Sequence, residues 1–123
     1  MSYVERHRVT VTTDASGDGT GYTPVVTGRV LTIVYTKVDY DDGVDFTITA
    51  EATGETIWSE SNVNSSKTVA PRQATHDMSG NASLYAAGGE PVEDYIALAQ
   101  DRVKIVVASG GNTKSGTFDV VIG

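Results

Sequence analysis

Cysteine is absent from this chain, which excludes disulfide frameworks, thiolate metal sites and thiol nucleophiles together. Basic residues are scarce: 9 lysines and arginines stand against 16 aspartates and glutamates, for a formal net charge of −7. Nucleic-acid binding draws its affinity from clustered cations, so no nucleic-acid partner is expected. No apolar run approaches the roughly 20 residues of a membrane-crossing helix, and no basic and apolar leader opens the sequence. These features predict a soluble, unsecreted protein without a membrane partner. The histidines number two, His7 and His76, in separate segments without a second ligand at metal-binding spacing. Aromatic residues make up 7%, too few for the ring-lined cleft that a glycosidase builds between two carboxyl groups.

What is present is the vocabulary of β-structure. Thirteen glycines, with many threonines, valines and serines, compose short strands joined by tight turns. A chain of 123 residues fits one domain with a core of its own. Residues 25–38 read as a long strand, with Val30, Thr32, Val34, Thr36 and Val38 on one face and Leu31, Ile33, Tyr35 and Lys37 on the other. Both faces are largely apolar, so the second requires cover from another sheet or another subunit.

Residues 1–8 are mixed and charged and read as a flexible N-terminal arm ahead of a single β domain, 9–123. Residues 7–13 alternate and stop at Asp14-Ala15-Ser16-Gly17-Asp18-Gly19, which predicts a hairpin returning through residues 20–24. Asp42-Gly43 predicts a second hairpin, between the long strand and an alternating run with Val44, Phe46, Ile48, Ala50 and Ala52 on one face. Thr53-Gly54 turns the chain into a short strand carrying Ile57 and the sole tryptophan, Trp58. Residues 62–93 lose all periodicity in Asn, Ser, Pro, Gly and Ala and form an irregular insertion; segments of such length in a compact domain are functional or disordered. Residues 102–109 and 113–122 predict a last hairpin across Gly110-Gly111-Asn112, with Val103, Ile105 and Val107 facing the same core as Phe118, Val120 and Ile122. The fold class is therefore all-β: an antiparallel β-sandwich or jelly-roll-like barrel of about seven or eight strands.

No catalytic constellation emerges. The turn at residues 14–19 imitates a calcium loop, but Val25 stands where the twelfth position requires a bidentate glutamate. The cluster Asp39, Asp41, Asp42 and Asp45 reads as a solvated turn. His76, Asp77 and Ser79 are neighbours in sequence, which is not the test for a triad, and no nucleophile-elbow motif accompanies them. Neither catalytic residues, nor metal ligands, nor a cofactor are assigned.

Three runs carry a resemblance to a known group. They are Gly28-Arg29-Val30-Leu31-Thr32-Ile33-Val34-Tyr35, then Asp42-Gly43-Val44-Asp45-Phe46-Thr47-Ile48-Thr49, and Glu51-Ala52-Thr53-Gly54-Glu55-Thr56-Ile57-Trp58. Together with Leu84-Tyr85-Ala86-Ala87-Gly88-Gly89 and the stretches 98–107 and 116–118, the chain resembles small virion structural proteins of tailed bacteriophages and prophages from about Val9 onward. The resemblance implies a head decoration, or cement, protein, made in the bacterial cytoplasm and bound to the outer capsid surface as a homotrimer. Its partner would be the major capsid protein, and it would stabilise the expanded shell without chemistry of its own. The resemblance transfers no functional motif. Candidate capsid or subunit contacts follow from the segments themselves: Tyr3, Val4, Arg6 and Arg8 in the arm, Val30, Val34 and Val38 on the second strand face, Trp58, and Met78, Leu84 and Tyr85 in the insertion. The alternatives are a tail or neck component, or a carbohydrate-binding sandwich using Trp58 and the tyrosines as stacking platforms.

Overall fold

A computed structural model describes residues 4–123, and within them the chain is all-β and antiparallel. The strands are β1 (Glu5–Thr12), β2 (Gly19–Tyr22), β3 (Val26–Lys37), β4 (Val44–Ala50), β5 (Thr56–Val63), β6 (Lys67–Val69), β7 (Gln73–Ala74), β8 (Glu93–Asp94), β9 (Ile96–Asp101), β10 (Val103–Ala108) and β11 (Ser115–Ile122). Eight of them answer strands expected from the sequence, β9 among them, since Tyr95, Ile96 and Leu98 bring apolar residues back after the insertion. The other three, β6, β7 and β8, span three, two and two residues and are too short to carry a recognisable alternation.

Two sheets face each other. One runs β1-β11-β3, with β6 and β9 both on the far edge of β3; the other runs β2-β10-β4-β5. Alternation puts the apolar set of each strand inward. Ile33 and Tyr35 from β3, Phe118 and Val120 from β11, Ile48 from β4, and Val103, Ile105 and Val107 from β10 have no exposed surface. At the centre Phe46 packs edge-on against Phe118 and Trp58, at centroid separations of 5.2 and 4.8 Å, and Tyr35 lies 5.1 Å from both Phe46 and Phe118. These separations fall within the favourable range for aromatic pairs.

Three of the expected hairpins are not hairpins. β1 pairs with β11 and β2 with β10; β3 and β4 lie in different sheets; and β10 pairs with β4 while β11 pairs with β3. The turns at residues 14–19, 39–43 and 110–112 are arches that carry the chain across the core from one sheet to the other. Only β4 and β5 form a hairpin between sequence neighbours of the two main sheets. An arch and a hairpin require the same glycine and aspartate chemistry at the tip and the same alternation in the legs, so the local sequence does not separate them. The shared core of β10 and β11 was legible, but from opposite sides.

The three arches pack on one another at one end of the sandwich. Gly110 N donates to Gly17 O (3.0 Å), Asp41 N to Gly110 O (3.0 Å) and Thr113 N to Asp14 O (3.2 Å). The carboxylates of this end hold backbone amides of turns and strands: Asp14 accepts from Ser16 N and Asp18 N in its own turn, Asp39 from Ser115 N of β11 and Asp45 from Asn62 N of β5. Asp42 pairs with Lys37 at 2.6 Å.

Two further expectations are corrected. Residues 5–8, read as part of a flexible arm, belong to β1, where Glu5 to Arg8 pair with Ile122 to Asp119. The two-face reading of residues 25–38 fails at Leu31. Ile122 lies opposite Val30, but the next residue back, Val121, lies opposite Thr32, so Leu31 is an extra residue in β3. A bulge of one residue reverses the faces on either side of it, and Val30 enters the core beside Ile33 and Tyr35.

Candidate functional site

The edge of β3 opposite β11 is covered by one strand in two pieces. β6 runs antiparallel to β3 with Val69 opposite Ile33, and β9 resumes in the same direction with Ile96 opposite Val30. Leu31 and Thr32 are all of β3 that separates the two pieces. Between them the chain leaves the sheet at Ala70 and returns at Tyr95, so the irregular insertion is literally an insertion into a strand, at the level of the β3 bulge.

The excursion is ordered by its own hydrogen bonds. Its stem pairs β7 with β8, Gln73 opposite Asp94 and Ala74 opposite Glu93. Above the stem three backbones meet: Thr75 N donates to Val92 O, Val92 N to Ser83 O and Ser83 N to Thr75 O, each at 2.8 Å. This closed ring splits the stem into two lobes. The first is closed by the His76–Ala82 bridge, and its turn is tied by Asp77, whose carboxylate accepts from Ser79 N (2.9 Å) and Asn81 N (3.1 Å). The second is closed by the Leu84–Pro91 bridge, with Tyr85 N donating to Glu90 O and Gly89 N to Ala86 O. Single-pair bridges leave no alternation in sequence, so residues 75–92 read as patternless; the start of the expected insertion 62–93 is corrected, since Asn62 and Val63 end β5 and Lys67–Val69 is β6.

The stem is fastened to the sandwich through Tyr95. The guanidinium carbons of Arg72 and Arg29 lie 4.1 and 5.1 Å from its ring centroid, and Arg72 Nη1 also donates to Leu31 O at 3.2 Å. Each cation–π contact contributes about 0.5–1 kcal/mol at an exposed site. Arg72 and Tyr95 thus join the two ends of the stem to β3, where sequence reasoning saw only a boundary. The lobes expose large apolar groups: Met78 on the first is fully exposed, Tyr85 on the second is 77% exposed, and Leu84 is 43% exposed.

The other candidate contacts scatter. Tyr3 lies outside the described residues. Val4 is exposed. Arg6 and Arg8 project from the outer face of β1, where Arg8 is engaged: its Nε and Nη2 reach Asp119 Oδ1 and Oδ2 at 2.9 and 3.2 Å. Asp119 is buried in the middle of β11, and the hydrogen bonds from Arg8 hold its carboxyl below the ordinary aspartate range. Val34 is half-buried on that outer face, opposite Asp119 and Thr68, and Val38 is exposed beyond the end of β3. With Val30 in the core, the three valines do not form a continuous second face, and the packing reason for a subunit contact there disappears.

Trp58 is also a core residue. It is 9% exposed and packs on Phe46, while its Nε1 donates to Glu60 Oε1 at 3.1 Å. Lys67 Nζ reaches the other Glu60 oxygen at 2.7 Å, tying β5 to β6 across one side of the sandwich; this hydrogen bond lowers the Glu60 pKa. A ring so enclosed is no stacking platform for a sugar. Among the described residues, no group of three or more histidine, aspartate or glutamate side chains is placed to hold a metal ion. No protein-family model matches the chain, and no curated protein matches it.

Proposed function

We propose that this chain is a non-catalytic structural protein of a tailed-bacteriophage virion, a head decoration protein that binds the outer surface of the expanded capsid as a homotrimer. The observation that carries the reading is the forked insertion. A sandwich that completes its own core between two sheets extends a separately hydrogen-bonded fork and exposes Met78, Leu84 and Tyr85 at its lobes. Apolar groups held out on an anchored framework contribute nothing to the core, and their ordered exposure suits a docking element. The resemblance of the strand runs to small phage virion proteins supplies the setting, and the trimer rests on that resemblance alone.

The mechanism is linkage. A protein that binds only the assembled, expanded lattice stabilises it by mass action, and a trimer that engages several lattice subunits at once gains avidity without stronger individual contacts. Quantitative mass spectrometry of purified virions tests the reading through the copy number relative to the major capsid protein. A near-equimolar ratio is expected. A ratio of a few per cent moves the protein to the tail or neck, and absence from the particle overturns a virion role.

A further inference from the structure

Resting on that reading, we infer that the fork docks into a basic, apolar-lined recess of the capsid lattice and is not a contact between copies of this chain. Between Gln73 and Asp94 there is no lysine or arginine, and the four carboxylates of that stretch, Asp77, Glu90, Glu93 and Asp94, are all exposed. Asp77 adjoins Met78 in the first lobe, Glu90 pairs with Tyr85 in the second, and Glu93 and Asp94 lie in the stem below them. Two such forks brought together would confront like charges within a Debye length of about 8 Å at physiological salt, where screening is incomplete.

The rest of a second copy offers poor complement. Six of the nine cationic side chains are already engaged: Arg8 by Asp119, Lys37 by Asp42, Lys67 by Glu60, Arg102 by Glu51, and Arg29 and Arg72 by the Tyr95 ring. The arch end is itself acidic, with Asp14, Asp18, Asp39, Asp41, Asp42 and Asp45. A cationic rim around an apolar floor, on a different polypeptide, is the surface that satisfies both features of the fork. Apolar anchors there supply affinity, and the carboxylates supply steering and orientation.

The interrupted edge strand provides the variant that tests this. Deleting residues 71–94 joins Ala70 to Tyr95, leaving two residues between Val69 and Ile96 to span Thr32 and Leu31 of β3. The edge strand becomes continuous and no residue of the sandwich core is removed. The probe is expanded heads prepared without this polypeptide, with binding followed by co-sedimentation at low and high salt. The intact chain is expected to bind, more weakly at high salt. The deletion variant is expected to melt cooperatively with an unchanged oligomeric state in sedimentation, yet bind at least about 100-fold more weakly. Two full-length surface variants guard against misfolding of the deletion. Glu90→Lys with Glu93→Lys is expected to lower affinity about tenfold and flatten the salt dependence, and Met78→Ser with Tyr85→Ser to lower it about tenfold or more. If the variants bind as tightly as the intact chain, the fork is not the docking element, although the decoration reading stands. If the deletion dissociates the oligomer, the fork is a self-contact and the inference is overturned. If the intact chain itself does not bind heads, the decoration reading falls and the inference with it.

Discussion

The Tyr40 hydroxyl donates a 2.5 Å hydrogen bond to the Val11 carbonyl, joining the β3–β4 arch to the edge strand β1 beneath it. The Tyr40 ring is buried and lies over Gly116 and Gly110, where an added Cβ at Gly116 would stand 2.8 Å from Tyr40 Cδ2 and one at Gly110 3.1 Å from Cδ1. One side chain therefore ties its own arch to β1, to β11 and to the β10–β11 arch. Gly116→Ala is expected to destabilise the fold by about 1–3 kcal/mol through overpacking, and Tyr40→Phe by about 1 kcal/mol through the lost hydrogen bond. Urea denaturation of the two variants beside the parent chain checks both values and their order.

Alkaline pH strains the same region. Burial raises the pKa of Tyr40, and the neighbouring Tyr35 raises it further; burial also raises that of Tyr35. A folded-state pKa above the unfolded value of about 10 means that the unfolded chain releases these protons more readily. Their contribution to stability is complete below about pH 10 and is lost as pH rises toward the folded-state values. Absorbance titration at 295 nm is expected to show two of the six tyrosines ionising only with unfolding. Tyr40→Phe should reduce that late phase.

Acid acts through Asp119 and Glu60. The hydrogen bonds of Arg8 to Asp119 and of Lys67 to Glu60 lower both folded-state pKa values. Their stabilisation is present above the unfolded values of about 4 and disappears as pH falls through the lower folded-state ones. Melting temperature is expected to fall below about pH 4, and Asp119→Asn should lower stability at pH 7 while making the acid slope shallower. An acid slope identical in the variant and the parent would remove Asp119 from the account.

The fork and the sandwich are expected to differ in stability. Tyr95→Ala removes both cation–π contacts at the stem, about 1–2 kcal/mol together, from a segment with little buried apolar surface. Hydrogen exchange should quicken by about tenfold in residues 72–94 while the strands of the sandwich keep their protection. Slowed exchange, or a loss of protection spread over the whole chain, would contradict the separation of the two parts.

Trp58→Ala should have the opposite signature: a global loss of about 3–5 kcal/mol, as for deletion of a large core ring. The emission of the parent tryptophan should be blue-shifted and poorly quenched by iodide until the protein unfolds. An exposed, readily quenched indole would restore Trp58 as a candidate surface platform.

Strand positions were legible because period-two alternation is a local property: Val44, Phe46, Ile48 and Ala50 point inward as their spacing demands, and Thr53-Gly54 makes the hairpin its residues favour. Sheet membership was not legible. A strand that alternates toward a core is equally satisfied beside its predecessor or across from it, and the arches at residues 14–19, 39–43 and 110–112 chose the second. Ala52, expected on the inner face of β4, lies exposed in the turn after it. Asp119 is not legible as a buried ion-pair residue because an aspartate on an alternating strand reads as solvent-facing until its partner, 111 residues away in sequence, is known.

Composition alone excluded thiol chemistry and set the net charge, and periodicity alone fixed the all-β class and most of the inward-facing residues. Tertiary structure decided which strands share a sheet, turned Val30 into the core through a one-residue bulge, and revealed that residues 70–95 interrupt a single edge strand to form a fork. The physical reason is range. Alternation and turn chemistry are written in neighbouring residues, whereas pairing partners, bulges and the ring of hydrogen bonds among Thr75, Ser83 and Val92 depend on backbone groups that any residue but proline supplies.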